Sequence, residues 1–179
     1  YARLGTAAGQ RHNERLSLVM QTICATGIRV SELQYITVQA VRAGRAEIAN
    51  KGKHRIVFLP AKLCRLLGKY LHKQHITAGA VFVTRTGKPL DRSNIWREMK
   101  ALCARANVSP KKVFPHNLRK LFARTFYDLE KDIAKLADVL GHSSIEITRI
   151  YIKSTGREHK RQLDSMRLVI GDGEQKKTT

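Results

Sequence analysis

The chain has 179 residues, 42% of them hydrophobic, and its 34 Lys and Arg residues outnumber 14 Asp and Glu residues, giving a formal net charge of +20. This length fits one ordinary domain, and the apolar content separates the chain from a disordered basic tail. No apolar run approaches the roughly 20 residues that a membrane helix requires, so we expect no membrane partner. The excess of positive charge makes a polyanion the leading candidate partner.

The first third of the chain is predicted to form two helical segments and then a hairpin. Apolar residues recur at helical spacing over residues 14–25 and stop before Gly27, which suits a helix C-terminus. A second short helix is expected from Ser31. Two short strands are predicted over residues 46–49 and 55–59, because the residues between them have the composition of a turn, Asn-Lys-Gly-Lys.

The middle of the chain is predicted to form two amphipathic helices with a short edge strand, residues 81–83, between them. Pro60 opens the first helix, and Ser93 caps the second. The apolar face of the first helix consists of Leu63, Leu66, Leu67, Tyr70 and Leu71. The inner face of the second consists of Ile95, Trp96, Met99, Leu102 and Cys103.

The last third of the chain is predicted to be helical as well. Residues 118–129 and 133–140 each show apolar side chains at helical spacing. In the first of these helices the pattern consists of Leu118, Leu121, Phe122, Thr125, Phe126 and Leu129. Ser143 and Glu146 fit a capping box, which predicts a further helix over residues 145–152.

These elements together predict a mainly α fold with one small antiparallel β-hairpin, which is an α+β domain. A terminal helix is expected over residues 158–170, and a flexible polar tail over residues 171–179. We therefore assign residues 1–170 to a single domain. Because the chain opens at Tyr1 and not at a Met, we expect it to be a fragment of a longer protein.

Three clusters place a cation or an imidazole at a boundary between elements. Arg29 lies within ATGIRVSEL, where it can also pair with the nearby glutamate. His116 and Arg119 are three residues apart at a helix start, so they share a face. His142 follows a Leu-Gly pair, and Tyr151 comes nine residues later. Taken singly, each has a structural explanation: a surface arginine, a histidine bonded to the backbone, or a packed tyrosine.

The order of these motifs carries more information than any one of them. ATGIRVSEL, a KGK hairpin, HNLR, LGH and the following tyrosine resemble the tyrosine recombinase family, the phage-integrase class of site-specific DNA recombinases. The resemblance covers roughly residues 21–152, and the basic segment 111–120 and the chain after Tyr151 are most like integrases of phages and conjugative transposons. It implies the family's catalytic-domain fold, without the N-terminal core-binding domain that usually precedes it.

The resemblance implies that a phosphodiester is the substrate. Tyr151 is expected to be the nucleophile, which forms a covalent 3′-phosphotyrosyl link and frees a 5′-hydroxyl. Arg29 and Arg119 are expected to hold the non-bridging oxygens, because planar guanidinium groups match a phosphate and stay charged.

The remaining implied roles concern protons. His116 is expected to accept the proton of the nucleophile, and His142 to donate a hydrogen bond to the phosphate. Lys51 is expected to protonate the 5′-oxygen leaving group. Lys53 competes for that role, because the family's hairpin is often one residue longer.

No metal site or other cofactor is expected. His72 and His75 are three residues apart on one predicted helix, but no third ligand follows at a suitable spacing. Acidic residues are too scattered for a two-metal nuclease. The cysteines have no CxxC pair and fit small core residues in a reducing compartment: Cys24, Cys64 and Cys103.

DNA contacts are expected beyond the catalytic residues. Lys53, Arg85, Lys88 and Arg92 fall in predicted turns or at a helix start, where contacts to phosphate are common. The resemblance implies several partners: double-stranded DNA at specific recombination sites, further copies of the chain in a dimer or tetramer, and accessory directionality factors. The resemblance also implies that the protein is located in the bacterial cytoplasm, at the nucleoid. The apolar residues of the terminal helix fit packing in cis or docking onto a neighbouring protomer.

Three other functions stay open on the sequence alone. The first is a non-catalytic DNA-binding module of the same fold, and the second is a DNA strand transferase like a type IB topoisomerase. The third is an RNA-binding protein, for which charge is the only support. The presence of all six polar positions argues against binding alone, since a binding module needs no tyrosine aligned with two arginines.

Overall fold

The structure is a computed structural model that describes residues 13–50, 52–84, 86–103, 106–152 and 165. Within these residues the chain is mostly helical and contains one two-stranded antiparallel sheet. The predicted fold class is therefore confirmed. No helix in this described part is both long and apolar enough to cross a membrane.

The elements follow one another in a simple order along the chain. They are α1 (Glu14–Thr26), a 3₁₀ helix (Val30–Tyr35), α2 (Val38–Ala43), β1 (Arg45–Asn50), β2 (Lys53–Phe58), α3 (Ala61–Lys73), α4 (Arg92–Cys103), a second 3₁₀ helix (Pro110–Lys112), α5 (Pro115–Glu130), α6 (Ile133–Leu140) and α7 (Ile145–Arg149). Helix α2 was not predicted, since its six residues are too few to show a period. Thr37 caps it by accepting from the Ala40 N–H.

Helix α1 lies at the centre of the main hydrophobic core. Its Val19, Met20 and Ile23 are fully buried, and the helix packs against α3, α4 and α5. A second, smaller cluster joins α5 to α6, and Tyr151 packs against it. The two cores meet along α5, so the start of α5 lies close to the end of α1.

The hairpin is tighter than the sequence predicts. Asn50 pairs with Lys53, which leaves a two-residue turn, and Gly52 adopts the positive φ that such turns require. The inner face of the hairpin buries Ile48 and Val57. Arg55 is paired with Ile48, so a charged side chain lies on this inner face.

The caps of two helices differ from the prediction, and the second helix is also shorter than predicted. Helix α4 is capped by Asp91, whose carboxylate accepts from the Asn94 N–H at 2.7 Å, so Ser93 lies inside the first turn and is not the cap. The capping box at Ser143 is also wrong. Helix α7 has Ser144 as its N-cap residue and ends at Arg149. The Ser144 hydroxyl donates to the Glu146 carboxylate and does not cap a backbone N–H.

Several apolar residues of the predicted helices are exposed, and one predicted strand is almost absent. Trp96, predicted to lie on the inner face of α4, is 43% exposed, and Leu121 and Leu129 on α5 are 40% and 79% exposed. The buried stripe of each helix is thus narrower than its apolar pattern. The predicted edge strand over 81–83 is reduced to one bridge, between Val83 and Pro89. Of the predicted terminal helix, only Ser165 lies within the described residues and is helical, and the tail over residues 171–179 lies outside them.

The cysteines take positions close to those expected. None of these three cysteines, all within the described residues, forms a disulfide; Cys103 is buried, and Cys24 and Cys64 are half-buried. Among the described residues, no group of three or more His, Cys, Asp or Glu side chains is arranged to hold a metal ion.

Candidate active site

The ATGIRVSEL segment turns the chain from α1 into the first 3₁₀ helix. Gly27 has a left-handed φ of 68°, and a Cβ at this position would collide with the ring of Phe122. Arg29 follows in an extended conformation. Its backbone N–H donates to Glu32 Oε2 at 2.7 Å, and its Nη1 donates to Oε1 at 2.9 Å. This turn therefore holds Arg29 by both its backbone and its side chain.

Glu32 is a buried carboxylate shared by two guanidinium groups. Its side chain is 1% exposed, and besides Arg29 it binds Arg55 through both Nη atoms at 3.0 and 2.8 Å. Burial raises the pKa of Glu32, but hydrogen bonds from Arg55 and Arg29 outweigh it and hold this pKa below its ordinary value. The carboxylate is therefore charged at neutral pH.

Arg119 is almost fully buried, between the ends of two helices. One of its Nη atoms donates to the Gly27 carbonyl after α1, and the other donates to the Leu140 carbonyl at the end of α6 at 2.7 Å. Helix C-termini carry partial negative charge, which stabilises a cation there. Burial and the nearby Arg29 lower the pKa of Arg119 to about 10, so it stays charged at neutral pH.

The two predicted phosphate-binding arginines meet at one turn. Arg29 Nη2 lies 3.4 Å from the carbonyl oxygen of Gly141, the residue next to the Leu140 that binds Arg119. The side chain of Arg29 is 37% exposed, whereas Arg119 is 2% exposed. Arg29 is thus the more accessible of the two guanidinium groups.

His142 has both ring nitrogens engaged. Arg119 Nη2 lies 3.0 Å from Nε2, and Thr148 Oγ1 lies 2.8 Å from Nδ1. Burial, Arg119 and Arg29 lower the pKa of His142 to about 4, so the ring is neutral at neutral pH. No ring N–H is left for a phosphate in this arrangement. The expected donor role of His142 stays a prediction, and it requires the ring to give up Thr148 or gain a proton.

Tyr151 lies between the two predicted histidines. Its ring centroid is 5.3 Å from that of His116 and 5.4 Å from that of His142. Lys120, one turn after His116 on α5, places its Nζ 6.0 Å from the centroid of the Tyr151 ring. Loss of hydration and the charges of Lys120 and Arg119 lower the pKa of His116, which favours the neutral form able to accept a proton.

The structure brings five of the six predicted catalytic side chains together: Arg29, His116, Arg119, His142 and Tyr151. Lys51 and Arg85 lie outside the described residues, and so does the side chain of Lys53. Lys88 and Arg92 are both exposed. Arg92 begins α4 near enough to His116 for its charge to lower the pKa of that histidine.

Three side chains at the site were not predicted to belong to it. Arg55 reaches it from β2, Lys120 from α5 and Thr148 from α7. Arg55 carried a usable signal, since a charge on the inner face of a hairpin implies a buried partner. Lys120 shares a helix face with His116 at a spacing of four residues. Thr148 had no signal in the sequence.

The family of the chain follows from comparison with known proteins. The model of the phage integrase family matches residues 2–158. The chain belongs to the phage integrase family. The candidate site residues lie in the turn and 3₁₀ helix after α1, on the hairpin, on α5, in the turn after α6, and on and just after α7, all within the matched span.

Individual phage integrase relatives agree with this assignment. Tyrosine recombinase XerD of Staphylococcus saprophyticus is 34% identical over 143 residues, which cover 74% of this chain and 48% of the relative. The chain thus spans about half the length of the curated relatives it matches.

Solved structures of two other proteins share the fold of this chain. The crystal structure of XerA recombinase is 26% identical with a TM-score of 0.77, covering 94% of this chain and 62% of that one. The Tn1549 transposon integrase in complex with transposon right end DNA is 16% identical with a TM-score of 0.73, covering 94% of this chain and 64% of that one.

Proposed function

We propose that this chain is the catalytic domain, residues 1–170, of a site-specific DNA recombinase that breaks and rejoins DNA through a covalent tyrosyl intermediate. The observation that carries the proposal is the position of Tyr151, whose ring lies between His116 and His142 at 5.3 and 5.4 Å. The paired guanidinium groups of Arg29 and Arg119 meet at the turn that precedes His142. A phenol beside cations and neutral imidazoles suits attack on a phosphodiester.

The proposed reaction is a transesterification at phosphorus. The Tyr151 oxygen attacks the scissile phosphorus and passes its proton to His116, and the bond from phosphorus to the 5′-oxygen breaks. The products are a 3′-phosphotyrosyl link and a 5′-hydroxyl, whose proton comes from Lys51 or Lys53. Arg29 and Arg119 stabilise the negative charge that gathers on the non-bridging oxygens. Because the covalent link conserves the ester bond energy, a second 5′-hydroxyl can reverse the step and complete strand exchange.

His142 has a positioning role in this proposal as well as the expected donor role. Its contacts hold the Arg119 side chain on one side and the Tyr151 ring on the other. Lys120 adds a positive charge beside the Tyr151 ring, which stabilises the phenolate as it forms.

Double-stranded DNA is the proposed partner. The net charge of +20 supplies a general attraction to phosphate, and Lys88 and Arg92 are exposed to make such contacts. We further propose that the domain acts as a dimer or tetramer on its recombination sites in the bacterial cytoplasm, with accessory directionality factors. Its role there is integration and excision of a mobile element, in keeping with the basic segments that resemble such integrases.

The test is capture of the covalent intermediate. Because the target sequence is unknown, the chain is incubated with a library of nicked duplexes in which the release of a short strand prevents religation. We expect DNA adducts that survive denaturation in excess EDTA. Tyr151→Phe should abolish them while DNA affinity stays within about twofold, and Tyr127→Phe, which alters another tyrosine of the same small core, should not.

The alternatives give different results. A binding module of this fold would retain DNA without any adduct. A topoisomerase-like enzyme would form adducts and relax supercoiled DNA without exchanging strands between two duplexes. Adducts that persist in Tyr151→Phe would assign the nucleophile to another residue and refute the proposal.

A further inference from the structure

We propose that Arg55 is a positioning residue that holds Arg29 in its phosphate-binding orientation through the Glu32 carboxylate that the two arginines share. Arg55 lies on β2 and was not among the residues predicted for the site. The inference rests on the proposed function in one respect, since it takes Arg29 to be a phosphate ligand.

The first argument is the way in which Arg29 and Arg55 share the two oxygens of the Glu32 carboxylate. Glu32 Oε1 accepts from Arg29 Nη1 at 2.9 Å and from Arg55 Nη1 at 3.0 Å. Oε2 accepts from the Arg29 backbone N–H at 2.7 Å and from Arg55 Nη2 at 2.8 Å. Arg55 therefore takes the bidentate position, and only one guanidinium nitrogen of Arg29 is bound to the carboxylate.

The second argument is the gradient of exposure across the cluster. The side chains of Glu32, Arg55 and Arg29 are 1%, 16% and 37% exposed. The buried pair is thus Glu32 with Arg55, and Arg29 is the member that faces outward. Without Arg55, the buried Glu32 carboxylate would lose two of its hydrogen bonds and the positive charge that balances it. Both guanidinium Nη atoms of Arg29 would then turn toward the carboxylate. That movement would take Arg29 away from the Gly141 carbonyl and from an incoming phosphate.

The third argument is the packing of the Arg55 stem. Gly141 has a φ of 64°, and a Cβ placed there would lie 2.8 Å from Arg55 Cδ. The stem therefore contacts the turn whose carbonyl lies 3.4 Å from Arg29 Nη2. Arg55 Nε is buried with no hydrogen-bond partner among the described residues, so the Glu32 fork and this packing hold the side chain. The buried Arg55 Nε–H without a partner lowers the stability of the fold. This cost is consistent with a side chain whose role is to position its neighbours.

The first arm of the test measures position without activity. The ¹⁵N NMR signal of Arg29 Nε and its hydrogen exchange are compared in the wild-type chain, Arg55→Met and Arg15→Met. Arg15 also bridges two elements through a glutamate, Glu98 at 2.7 Å, and is a matched control. We expect Arg55→Met to shift the Arg29 signal and change its exchange rate at least about tenfold, whereas Arg15→Met leaves both unchanged. An Arg29 signal that is the same in Arg55→Met would overturn the proposal.

The second arm measures cleavage of two substrates that differ at the scissile phosphate. One is the normal phosphodiester, and the other is a methylphosphonate, which has one charged oxygen fewer and depends less on a guanidinium. Arg55→Met should slow single-turnover cleavage of the phosphodiester about 100-fold and that of the methylphosphonate much less. Equal losses on both substrates would indicate general destabilisation and contradict a role through Arg29. Arg55→Lys, which keeps the charge without the fork, should give an intermediate loss.

A double variant covers the case in which Arg55→Met does not fold. Glu32→Gln combined with Arg55→Met removes the buried charge together with its partner. If Arg55 acts through Glu32, the double variant should cleave no more slowly than Glu32→Gln alone, whereas a double variant that cleaves clearly more slowly than Glu32→Gln would refute the link. Failure of the wild-type chain to form any adduct would refute the proposed function, and the NMR arm would still decide the role of Arg55.

Discussion

Arg119 Nη2 lies 3.0 Å from His142 Nε2, and the other ring nitrogen, Nδ1, lies 2.8 Å from Thr148 Oγ1. A guanidinium donates hydrogen bonds and cannot accept them, so Nε2 is the acceptor and the ring proton is on Nδ1. The Nδ1–H then donates to the Thr148 hydroxyl oxygen. Arg119 therefore fixes the tautomer of His142, and Thr148 on α7 accepts the ring N–H of a histidine that also contacts Tyr151.

Thr148→Val should weaken both folding and catalysis. Thr148 is fully buried, and valine has the same shape without the acceptor, so the Nδ1–H loses its partner. We expect the free energy of unfolding to fall by about 1–3 kcal/mol, measured by urea denaturation. Cleavage should fall about tenfold as His142 loses its orientation. Thr125→Val, at an exposed position on α5, should change neither quantity, and an unaffected Thr148→Val would show that the bond to His142 contributes to neither.

Stability should fall on mild acidification because of His142. Its pKa is about 4 in the folded chain against an ordinary value of 6.5, so between these values the unfolded chain binds more protons. The free energy of unfolding should therefore decrease as the pH falls from about 6.5 to about 4. Urea midpoints at pH 7, 5.5 and 4.5 measure the slope. His142→Gln should flatten it, and the lowered pKa of His116 adds a smaller part in the same direction that His116→Gln would remove.

Glu32→Ala should be among the most destabilising single changes at the site. It leaves Arg29 and Arg55 without the carboxylate that compensates their charge, and we expect a loss of about 3–5 kcal/mol in the free energy of unfolding. Glu130→Ala also breaks an ion pair, with Lys135, but at an exposed position. That control should show little change. Similar effects of the two substitutions would mean that the buried cluster contributes no more than a surface pair.

Gly141→Ala should be worse than its backbone conformation alone explains. Gly44 has a similar φ of 69° with open space around it, whereas a Cβ at Gly141 meets the Arg55 stem. Gly44→Ala measures the strain of the left-handed conformation, expected to cost about 1 kcal/mol or more. The additional loss in Gly141→Ala reports displacement of Arg55. Equal losses in thermal unfolding would remove that contact as a factor.

DNA affinity should fall steeply with salt, and Arg92 should contribute to the slope. Each phosphate contact releases a counterion, so Arg92→Gln or Lys88→Gln should lower the slope of log affinity against log salt by about 1 on any duplex. Lys73 is ion-paired with Glu14 on another part of the surface, and Lys73→Gln serves as the control. Fluorescence anisotropy from low to moderate salt gives the slopes. A control that changes the slope equally would indicate diffuse attraction only.

The sequence predicts which side chains lie close together best where they belong to short motifs. Arg29, His116 and Arg119 each follow a recognisable turn or helix start, and Gly27 and Gly141 end helices as their left-handed φ allows. Partners far apart in the chain are harder to predict. Arg55 and Glu32 are 23 residues apart, and their pairing depends on the register of the hairpin. That register differs from the prediction, because the observed turn is one residue shorter at each end than the predicted turn, residues 50–53.

Capping and burial errors have similarly local causes. Ser93 and Asp91 are both good cap residues two positions apart, and only the backbone decides between them. An apolar pattern also overstates burial near the end of a helix, as the 79% exposure of Leu129, one residue before the end of α5, illustrates. Neither error moves a site residue, because the site is built on the ends of α1 and α6 and on the start of α5.

Arg119 joins the ends of α1 and α6, and this affects how the effects of replacing it are interpreted. Replacing it removes a proposed phosphate ligand and at the same time removes the hydrogen bonds that join the carbonyls of Gly27 and Leu140. An inactive Arg119 variant thus mixes misassembly with lost chemistry. Arg29 is the more exposed arginine and makes neither of these two carbonyl contacts, so its variants keep the junction that Arg119 bridges. They still remove one guanidinium partner of the buried Glu32 carboxylate, so stability has to be measured beside activity.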